Sequence, residues 1–376
     1  MDATTRADDE PEVLAQVEGR LGVLTLNRPA ALNALSLIMV RQLAQALQKW
    51  RSDPDIDAIV LRGAGDKALC AGGDIRAIYD SCKAGNQDYL TFFAEEYRLV
   101  QEIHRYCKPT IALMDGYVMG GGMGLSQACS LRVVTERSRL AMPEVSIGYF
   151  PDVGGSCFLS RLPGAIGNYL GLTGVQLNAN DALYCGLADV LVPAAQMAEL
   201  VSKLAAMPEA TLSVRATIID WLNDLPAPPD SSPSQLEQIR PAIDLHFSQS
   251  SVGAIMDSLG TERGPDFTQW AQQTQSTMAS RSPLAMSVTL EQLKRGAAMT
   301  LEQCLEMEFH LDQEWLPRGD MIEGVRALIV DKDKKPVWRP SSVKQVTVEQ
   351  VQSFFVRMPG HQQLTFSAEI ENRSCV

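Results

Sequence analysis

Two short segments between residues 70 and 125 have the composition of anion-binding turns. They are 70–74 (CAGGD) and 115–124 (DGYVMGGGMG), and each lies between a predicted strand and a predicted helix. Glycine permits positive φ and leaves neighbouring backbone N–H groups uncovered, and N–H groups at a helix start carry positive potential. Two such turns facing each other would bind an oxyanion. From glycine content alone, two tight turns without function are about equally well supported.

A third segment carries two carboxyl groups, Glu144 and Asp152, eight residues apart in an apolar stretch. A carboxyl group in apolar surroundings has a raised pKa, which suits proton transfer. The alternatives are that Glu144 faces solvent and that Asp152 caps the helix opening at Gly154. At this point capping and catalysis are equally weighted interpretations of Asp152.

Other catalytic motifs find no support in the sequence. A GxGxxG pattern built on Gly120 and Gly122 would need its third glycine at Leu125, and no P-loop, GxSxG or HExxH pattern occurs. The four histidines stand far apart, and none of the eight cysteines lies in a CxxC pair. A metal site is therefore not expected.

The composition limits the partners of the chain. Its 376 residues include 33 Lys and Arg against 45 Asp and Glu, and the resulting net charge of −12 disfavours nucleic acid. No stretch is long and apolar enough to span a membrane, and the acidic start (MDATTRADDE) fits neither a signal peptide nor a transit peptide. The eight cysteines are scattered and none lies in a CxxC pair. A reduced, cytoplasmic protein is therefore expected.

Alternating strands and helices must position these segments. A hairpin pattern opens the chain, and an amphipathic helix that begins after Ser36 follows it. Because strand and helix patterns continue to alternate through the first half, the sequence predicts α/β architecture. The predicted strands are 12–17, 21–26, 58–61, 110–114 and 132–134.

The second half has a different pattern. Beyond residue 200 the strand patterns fade and helical patterns dominate, and the Pro- and Ser-rich segment 225–234 resembles an exposed linker. We therefore expect a core, a helical C-terminal region and a tail. Their boundaries are 10–205, 206–356 and 357–376.

Together, and in this order, CAGGD, DGYVMGGGMGLS and AMPEVSIGYFPDVGG resemble the crotonase (enoyl-CoA hydratase/isomerase) superfamily over about residues 12–200. The resemblance implies a spiral of strand–strand–helix repeats with a helical C-terminal region. It implies binding of an acyl-CoA thioester, whose oxygen would be held by the backbone N–H groups of Gly73 and Gly121. No separate cofactor is implied, since CoA is part of the substrate, and a trimer-type homo-oligomer is allowed.

Two departures from the hydratase pattern indicate a branch of this superfamily. The first catalytic glutamate of hydratases falls on Gly124, whereas Asp152 stands where hydratases have glycine. A missing Glu and an added Asp resemble the 3-hydroxyisobutyryl-CoA hydrolase branch. Residues 93–97 (FAEEY) and 323–340 match that branch as well, so the resemblance reaches about residue 355.

The resemblance implies that the chain cleaves 3-hydroxyisobutyryl-CoA to the hydroxy acid and CoA, a step of valine breakdown. Glu144 would be the nucleophile or the general base, Asp152 would orient water or share the proton, and Glu96 would face the acyl group. The other expected substrate-binding residues are Asn33, Ala34, Leu35, Ala71, Asp74 and Arg76. Arg28 and Arg76 are weaker candidates, for the CoA phosphates. An enoyl-CoA hydratase or isomerase and a non-catalytic, ribosome-associated scaffold are the alternatives.

Overall fold

The computed structural model describes residues 10–206 and 233–366. The strands of this part form two sheets, one six-stranded in the order β1-β2-β3-β5-β7-β9 and one three-stranded in the order β4-β6-β8. Only the β1–β2 hairpin is antiparallel, and all other pairs are parallel. The strands are β1 Val13–Glu18, β2 Leu21–Leu26, β3 Ala58–Gly63, β4 Ala68–Cys70, β5 Thr110–Met114, β6 Tyr117–Met119, β7 Leu131–Val134, β8 Arg139–Ala141 and β9 Val190–Leu191.

Helices surround both sheets. In the first part they are α1 Leu37–Arg51, α2 Ile75–Ala84, α3 Asp88–His104, α4 Gly121–Ala128, α5 Gly155–Leu159, α6 Ile166–Thr173, α7 Ala179–Cys185 and α8 Met197–Ala205. In the second part they are α9 Gln235–Phe247, α10 Val252–Gly260, α11 Thr268–Ala279, α12 Pro283–Gly296, α13 Leu301–Arg318, α14 Met321–Val325 and α15 Val348–Ser353. The strand–strand–helix repeat occurs as β3-β4-α2, β5-β6-α4 and β7-β8-α5, so the predicted fold class is confirmed. Of the predicted linker, residues 225–232 lie outside the described part, whereas Ser234 is buried and its side chain caps α9. The domain boundaries stay a prediction.

The inner strands of the larger sheet are mostly buried, and their alternating side chains pack into different cores on its two faces. In β2, Leu24 and Leu26 enter the main core, whereas Leu21 and Val23 pack with residues of α8 on the opposite face. This is why β2 has no exposed residue and reads in the sequence as a continuous apolar run. The α1 helix begins as predicted, with the Ser36 side chain accepting from the Met39 N–H at 3.1 Å.

The smaller sheet positions the three segments that carry the candidate catalytic groups. Its strands β4, β6 and β8 are adjacent and parallel. Gly73 follows β4, Gly121 follows β6 and Glu144 follows β8. Because the carboxyl ends of neighbouring parallel strands meet at one edge of a sheet, all three residues are brought to the same place.

The C-terminal helices hold the segment that carries Asp152. Glu308 on α13 accepts from the N–H groups of Gly154 at 2.7 Å and Ser156 at 2.9 Å, and also from the Ser156 hydroxyl. On the same helix, Trp315 Nε1 donates to the Gly148 carbonyl at 2.9 Å. The helical region therefore packs against residues 148–156. The hydrogen bonds between them are buried.

We expect Glu308→Gln to lower the free energy of unfolding by ~1–3 kcal/mol, because the amide NH2 would face one of the two N–H donors and leave it unsatisfied. Urea denaturation followed by circular dichroism measures the change. Glu306→Gln makes the same chemical change two residues away on α13, where Glu306 is only partly buried, and should change stability by less than ~0.5 kcal/mol. Equal effects of the two substitutions would contradict the role assigned to Glu308.

Candidate active site

A cavity of about 540 Å³, counting its open mouth, lies at the carboxyl edge of the smaller sheet. Its walls combine the two glycine turns, three carboxyl groups (Glu96, Glu144 and Asp152) and apolar side chains. The apolar lining includes Ile75, Ile78, Phe92, Phe93, Ile147 and Val153. A concave, mostly apolar site with a few convergent polar groups is typical of small-molecule binding.

The two glycine turns lie against each other in the lining of this cavity. A Cβ placed on Gly121 would lie 3.5 Å from the Gly73 nitrogen. Leu35 N donates to Gly72 O and Asp74 N donates to Leu35 O, both at 2.8 Å, so the intervening Gly73 N–H points away from that bridge. In the described part of the chain neither the Gly73 nor the Gly121 N–H has a protein acceptor. The arrangement offers two donors to one ligand oxygen.

Glu144 begins the short helix Glu144–Ile147 directly after β8 and is 7% exposed. Its Oε1 lies 2.8 Å from the point that a Cβ on Gly120 would occupy, which places the carboxyl group beside the second turn. Its Oε2 is buried without a partner in the described part of the chain. Burial raises the pKa of Glu144 well above its usual range, and the charge of Asp152 raises it further.

Asp152 is 6% exposed and accepts a hydrogen bond from the Tyr97 hydroxyl at 2.9 Å. Its side chain does not cap α5, because Glu308 takes the free N–H groups there, so the capping interpretation is wrong. Burial raises the pKa of Asp152 to about 7, against the opposing effect of the Tyr97 hydrogen bond. Because the charge of Asp152 also acts on Glu144, these two carboxyl groups form an electrostatically interacting pair, the dyad.

Two adjacent glutamates on α3 face opposite environments. Glu96 is 2% exposed and lines the cavity, where its Oε1 has no partner in the described part of the chain. Burial raises the pKa of Glu96 well above its usual range. The charges of Asp152, Asp312 and Glu144 raise it further. Glu95 instead receives two hydrogen bonds at 2.7 Å from Arg41 on the surface. The expectation that Glu96 faces the cleft agrees with this geometry.

The other predicted binding residues divide between the cavity wall and its support. Ala71 lines the cavity. The Asn33 side chain is buried and donates to the Ala64 and Ala68 carbonyls at 3.0 and 2.8 Å, so it holds both ends of the β3–β4 connection. Leu35 is fully buried behind Gly73.

The charged candidates are engaged in ion pairs within the protein. Arg28 donates to the Ala34 carbonyl at 2.7 Å and to Asp74 at 3.0 Å, and Asp74 also caps α2. Arg76 pairs with Asp80 on the exposed side of α2 and is not in the cavity lining. The structure thus brings Gly73, Gly121, Glu144, Asp152, Glu96 and Ala71 together and leaves Arg76 apart.

Sequence reasoning missed three buried polar residues behind the dyad. Tyr97 contacts Asp152, and Tyr149 donates to Asp312 on α13. Tyr97 stands beside Glu96 in FAEEY, which was a sequence signal for it. Asp312 lies 160 residues beyond Asp152 in the sequence. The helical pattern around Asp312 gives no indication that it contacts Tyr149.

Gly124 has no room for a side chain. A Cβ there would lie 2.5 Å from the Cβ of Val153 and 2.9 Å from its carbonyl oxygen. Val153 is itself held at φ 51°, in the left-handed region that β-branched residues avoid. The space for a glutamate at position 124 is therefore filled by the segment that presents Asp152.

Two further features concern the residues that the structure describes. Among those residues, no three His, Cys, Asp or Glu side chains are grouped to hold a metal ion. No helix within 10–206 or 233–366 is long and apolar enough to cross a membrane.

Known proteins share both the sequence and the fold. The profile of the family described as enoyl-CoA hydratase/isomerase matches residues 21–355. The 3-hydroxyisobutyryl-CoA hydrolase, mitochondrial, of Danio rerio is 41% identical over 344 residues, covering 92% of this chain and 89% of that protein. The protein of the same name from Homo sapiens is 39% identical over 348 residues, covering 93% and 89%.

Two solved structures align over nearly the whole chain. A carnitinyl-CoA dehydratase from Mycobacterium thermoresistibile has a TM-score of 0.86 and 38% identity, covering 96% of this chain and 100% of that one. An enoyl-CoA hydratase from Rhodobacter sphaeroides 2.4.1 has a TM-score of 0.83 and 36% identity, covering 94% and 100%. These similarities confirm the predicted crotonase-like fold.

The prediction of a cytoplasmic protein is wrong, because the curated relatives at about 40% identity are named mitochondrial. That prediction relied on acidic composition and unpaired cysteines. Such features indicate a reducing environment but do not distinguish the compartments that maintain one.

The raised pKa of Asp152 predicts a pH-dependent stability. A group whose pKa is raised by folding contributes its full stabilisation of the folded state below its unfolded pKa, which is near 3.9 for Asp. For Asp152 this stabilisation is lost as pH rises through its folded pKa of about 7. Asp152→Asn keeps an acceptor for Tyr97 and removes the charge. We expect the wild-type melting temperature to fall more than that of the variant between pH 5 and pH 8. Asp257→Asn, at an exposed position, serves as the control. Parallel curves for wild type and Asp152→Asn would contradict the assigned burial cost.

Proposed function

Because the chain belongs to the enoyl-CoA hydratase/isomerase family, we propose that it is the hydrolase of this family that cleaves 3-hydroxyisobutyryl-CoA into 3-hydroxyisobutyrate and CoA. The curated relatives at 41% and 39% identity carry that name. The observation that carries the proposal is the buried Glu144–Asp152 dyad beside two free backbone donors, with Gly124 closed off by Val153.

The glycine turns would stabilise charge on the thioester oxygen. In the proposed complex the carbonyl oxygen accepts from the Gly73 and Gly121 N–H groups. Gly121 also opens α4, whose aligned peptide dipoles place positive potential at that point. As a nucleophile adds to the carbonyl carbon, the oxygen becomes an oxyanion and both hydrogen bonds strengthen. One such donor contributes ~2.7–4 kcal/mol to transition-state stabilisation in other enzymes.

The dyad would supply both a base and an acid. Its ionised carboxylate takes a proton from water, whose oxygen attacks the carbonyl carbon, while its remaining proton passes to the departing sulfur. Alternatively, Glu144 attacks directly and forms an acyl anhydride that water then opens. In both routes the C–S bond breaks, one water is consumed, and the products are the free acid and the CoA thiol.

The site argues against alkene hydration. Adding water across a double bond needs an acid and a base positioned on one water, and the position that carries the first such glutamate in hydratases is Gly124 here. The two solved structures named as a hydratase and a dehydratase share the fold, and a fold alone does not determine the reaction.

A non-catalytic scaffold explains the site less well. Buried, repelling carboxyl groups destabilise a folded protein at neutral pH, and a scaffold gains nothing from them. The net charge of −12 also disfavours binding to ribosomal RNA.

The direct test is release of CoA thiol from 3-hydroxyisobutyryl-CoA, followed with a thiol-reactive dye. Glu144→Gln keeps the shape of the side chain but removes its carboxylate, so we expect kcat to fall by at least ~10² with the circular dichroism spectrum unchanged. Glu199→Gln, at a surface ion pair on α8, is the matched control and should retain wild-type kcat. A Glu144→Gln enzyme with near wild-type kcat would remove Glu144 from the mechanism.

The same preparation separates hydrolase from hydratase. Hydration of crotonyl-CoA, measured by loss of absorbance, should be at least ~10²-fold slower than hydrolysis of the best thioester. Comparable rates would identify a hydratase, and the absence of both reactions would favour the scaffold.

Glu96 should make the enzyme prefer an acyl group with a 3-hydroxyl. Its free Oε1 lies 2.4 Å from where a Cβ on Gly121 would be, next to the proposed thioester site, and a substrate hydroxyl would satisfy it. We expect at least ~10-fold higher kcat/KM for 3-hydroxyisobutyryl-CoA than for isobutyryl-CoA, since the latter leaves a buried carboxyl group unpaired.

The control for this prediction is the neighbouring residue. Glu96→Ala should shrink the preference mainly by slowing the hydroxylated substrate, whereas Glu95→Ala, which removes only the surface pair with Arg41, should leave it unchanged. This account of specificity is wrong if wild type treats the two thioesters alike, or if Glu95→Ala alone alters their ratio.

A further inference from the structure

We propose that Tyr97 is a positioning residue for thioester hydrolysis: its hydroxyl orients Asp152 and sustains the ionised form of the dyad at neutral pH. The inference rests on the proposed function, and it assigns a task to a side chain that lies behind the cavity rather than in its lining.

The hydroxyl of Tyr97 has a fixed direction. The side chain is fully buried on α3, and its hydroxyl donates to Asp152 Oδ2 at 2.9 Å. The ring packs edge-on against Phe309 of α13, with centroids 6.4 Å apart, and against Phe93 at 6.0 Å. Because rings on both sides hold the phenol, Asp152 receives its hydrogen bond from a rigid donor.

The groups that face Asp152 and Tyr97 are all acidic or neutral. No lysine, arginine or histidine forms an ion pair with any of these carboxyl groups in residues 10–206 and 233–366. The groups are Glu96 on α3, Glu144 and Tyr149 after β8, and Glu308 and Asp312 on α13. With no cation to offset the charge of Asp152, a hydrogen bond to the charged form is the remaining means of stabilising it.

Tyr97 is the side chain that supplies this hydrogen bond. Within the described part of the chain no other side chain donates to Asp152. Burial raises the pKa of Asp152 to about 7, and the Tyr97 hydroxyl opposes a further rise. Without the hydroxyl, the pKa of Asp152 would rise further, and a smaller fraction of its carboxyl group would be ionised at neutral pH.

The second phenol of this cluster does not replace the first. The Tyr149 hydroxyl donates to Asp312, whose charge adds to the repulsion, and does not donate to Asp152. Asp312 thus interacts with both phenols, whereas Asp152, the carboxyl group that lines the cavity, interacts with Tyr97 alone of the two.

Tyr97→Phe keeps the ring and removes the hydroxyl. In the pH profile of kcat/KM for thioester hydrolysis, we expect the acid limb to move to higher pH by about one pH unit. At pH values below the limb, kcat/KM of the variant should be ~10-fold lower than that of wild type. At high pH the variant should recover most of the wild-type kcat/KM. Tyr106→Phe removes a different phenol donor, the one at 2.7 Å from the Leu47 carbonyl outside the cavity, and should leave the limb in place.

A merely structural role would lower activity equally at every pH, and that result, or an unmoved limb, overturns the proposal. Should Tyr97→Phe fail to fold, site-specific 3-fluorotyrosine at position 97 keeps the ring and makes the hydroxyl a more acidic donor. The limb should then move to lower pH, and a limb that stays or moves to higher pH overturns the proposal equally.

An infrared titration tests Tyr97 without catalysis. The protonated-carboxyl band that disappears in Asp152→Asn reports the Asp152 proton, and its midpoint should be higher in Tyr97→Phe than in wild type. An unchanged midpoint overturns the role of Tyr97. Failure of the wild-type enzyme to release thiol overturns the proposed function instead, so the two failures are distinguishable.

Discussion

Repulsion among buried carboxyl groups is the constraint around which this site is built. Glu96, Glu144, Asp152 and Asp312 interact electrostatically in one apolar volume, and burial raises the pKa of each. Ordinarily such groups are neutralised by a lysine or arginine. Here the structure instead uses retained protons and tyrosine hydroxyls, which lower the cost of burial without removing the capacity to exchange a proton.

The glycine turns serve this arrangement as well as the ligand. A side chain at Gly121 would collide with Glu96 Oε1, and one at Gly120 would collide with Glu144 Oε1. Glycine at these positions therefore does two things. It uncovers the N–H donors, and it lets two carboxyl groups approach the place where a thioester oxygen would bind. Donors and carboxyl groups share one small volume because three short parallel strands end there.

Local sequence patterns predicted the elements well. The hairpin and the Ser36 cap follow from alternation and capping chemistry, and they are found where predicted. A helix also follows the second glycine turn, as expected. The apolar stretch around Glu144 and Asp152 also indicated buried carboxyl groups correctly. Each of these inferences depends on interactions between residues close in sequence, which a pattern can record.

The errors arose where distant segments compete for the same group. Capping was a fair interpretation of Asp152 from local sequence, but Glu308, more than 150 residues away, takes the N–H groups of α5. The Asn33 amide also acts at a distance, donating to the Ala64 and Ala68 carbonyls, while its contact with substrate stays a prediction. The cellular compartment was wrong for a different reason, since composition does not encode it.

The helical region explains how a shared fold supports a buried dyad. Glycine turns at the edge of the smaller sheet supply donors, but a carboxyl group acquires a raised pKa only where solvent is excluded. Residues 148–156 are shielded because Glu308, Trp315 and Tyr149–Asp312 contacts press them against α13. The burial that raises the pKa of Asp152 is therefore produced in part by helices far along the chain. The core and the helical region thus shape the site together, wherever the domain boundary is drawn.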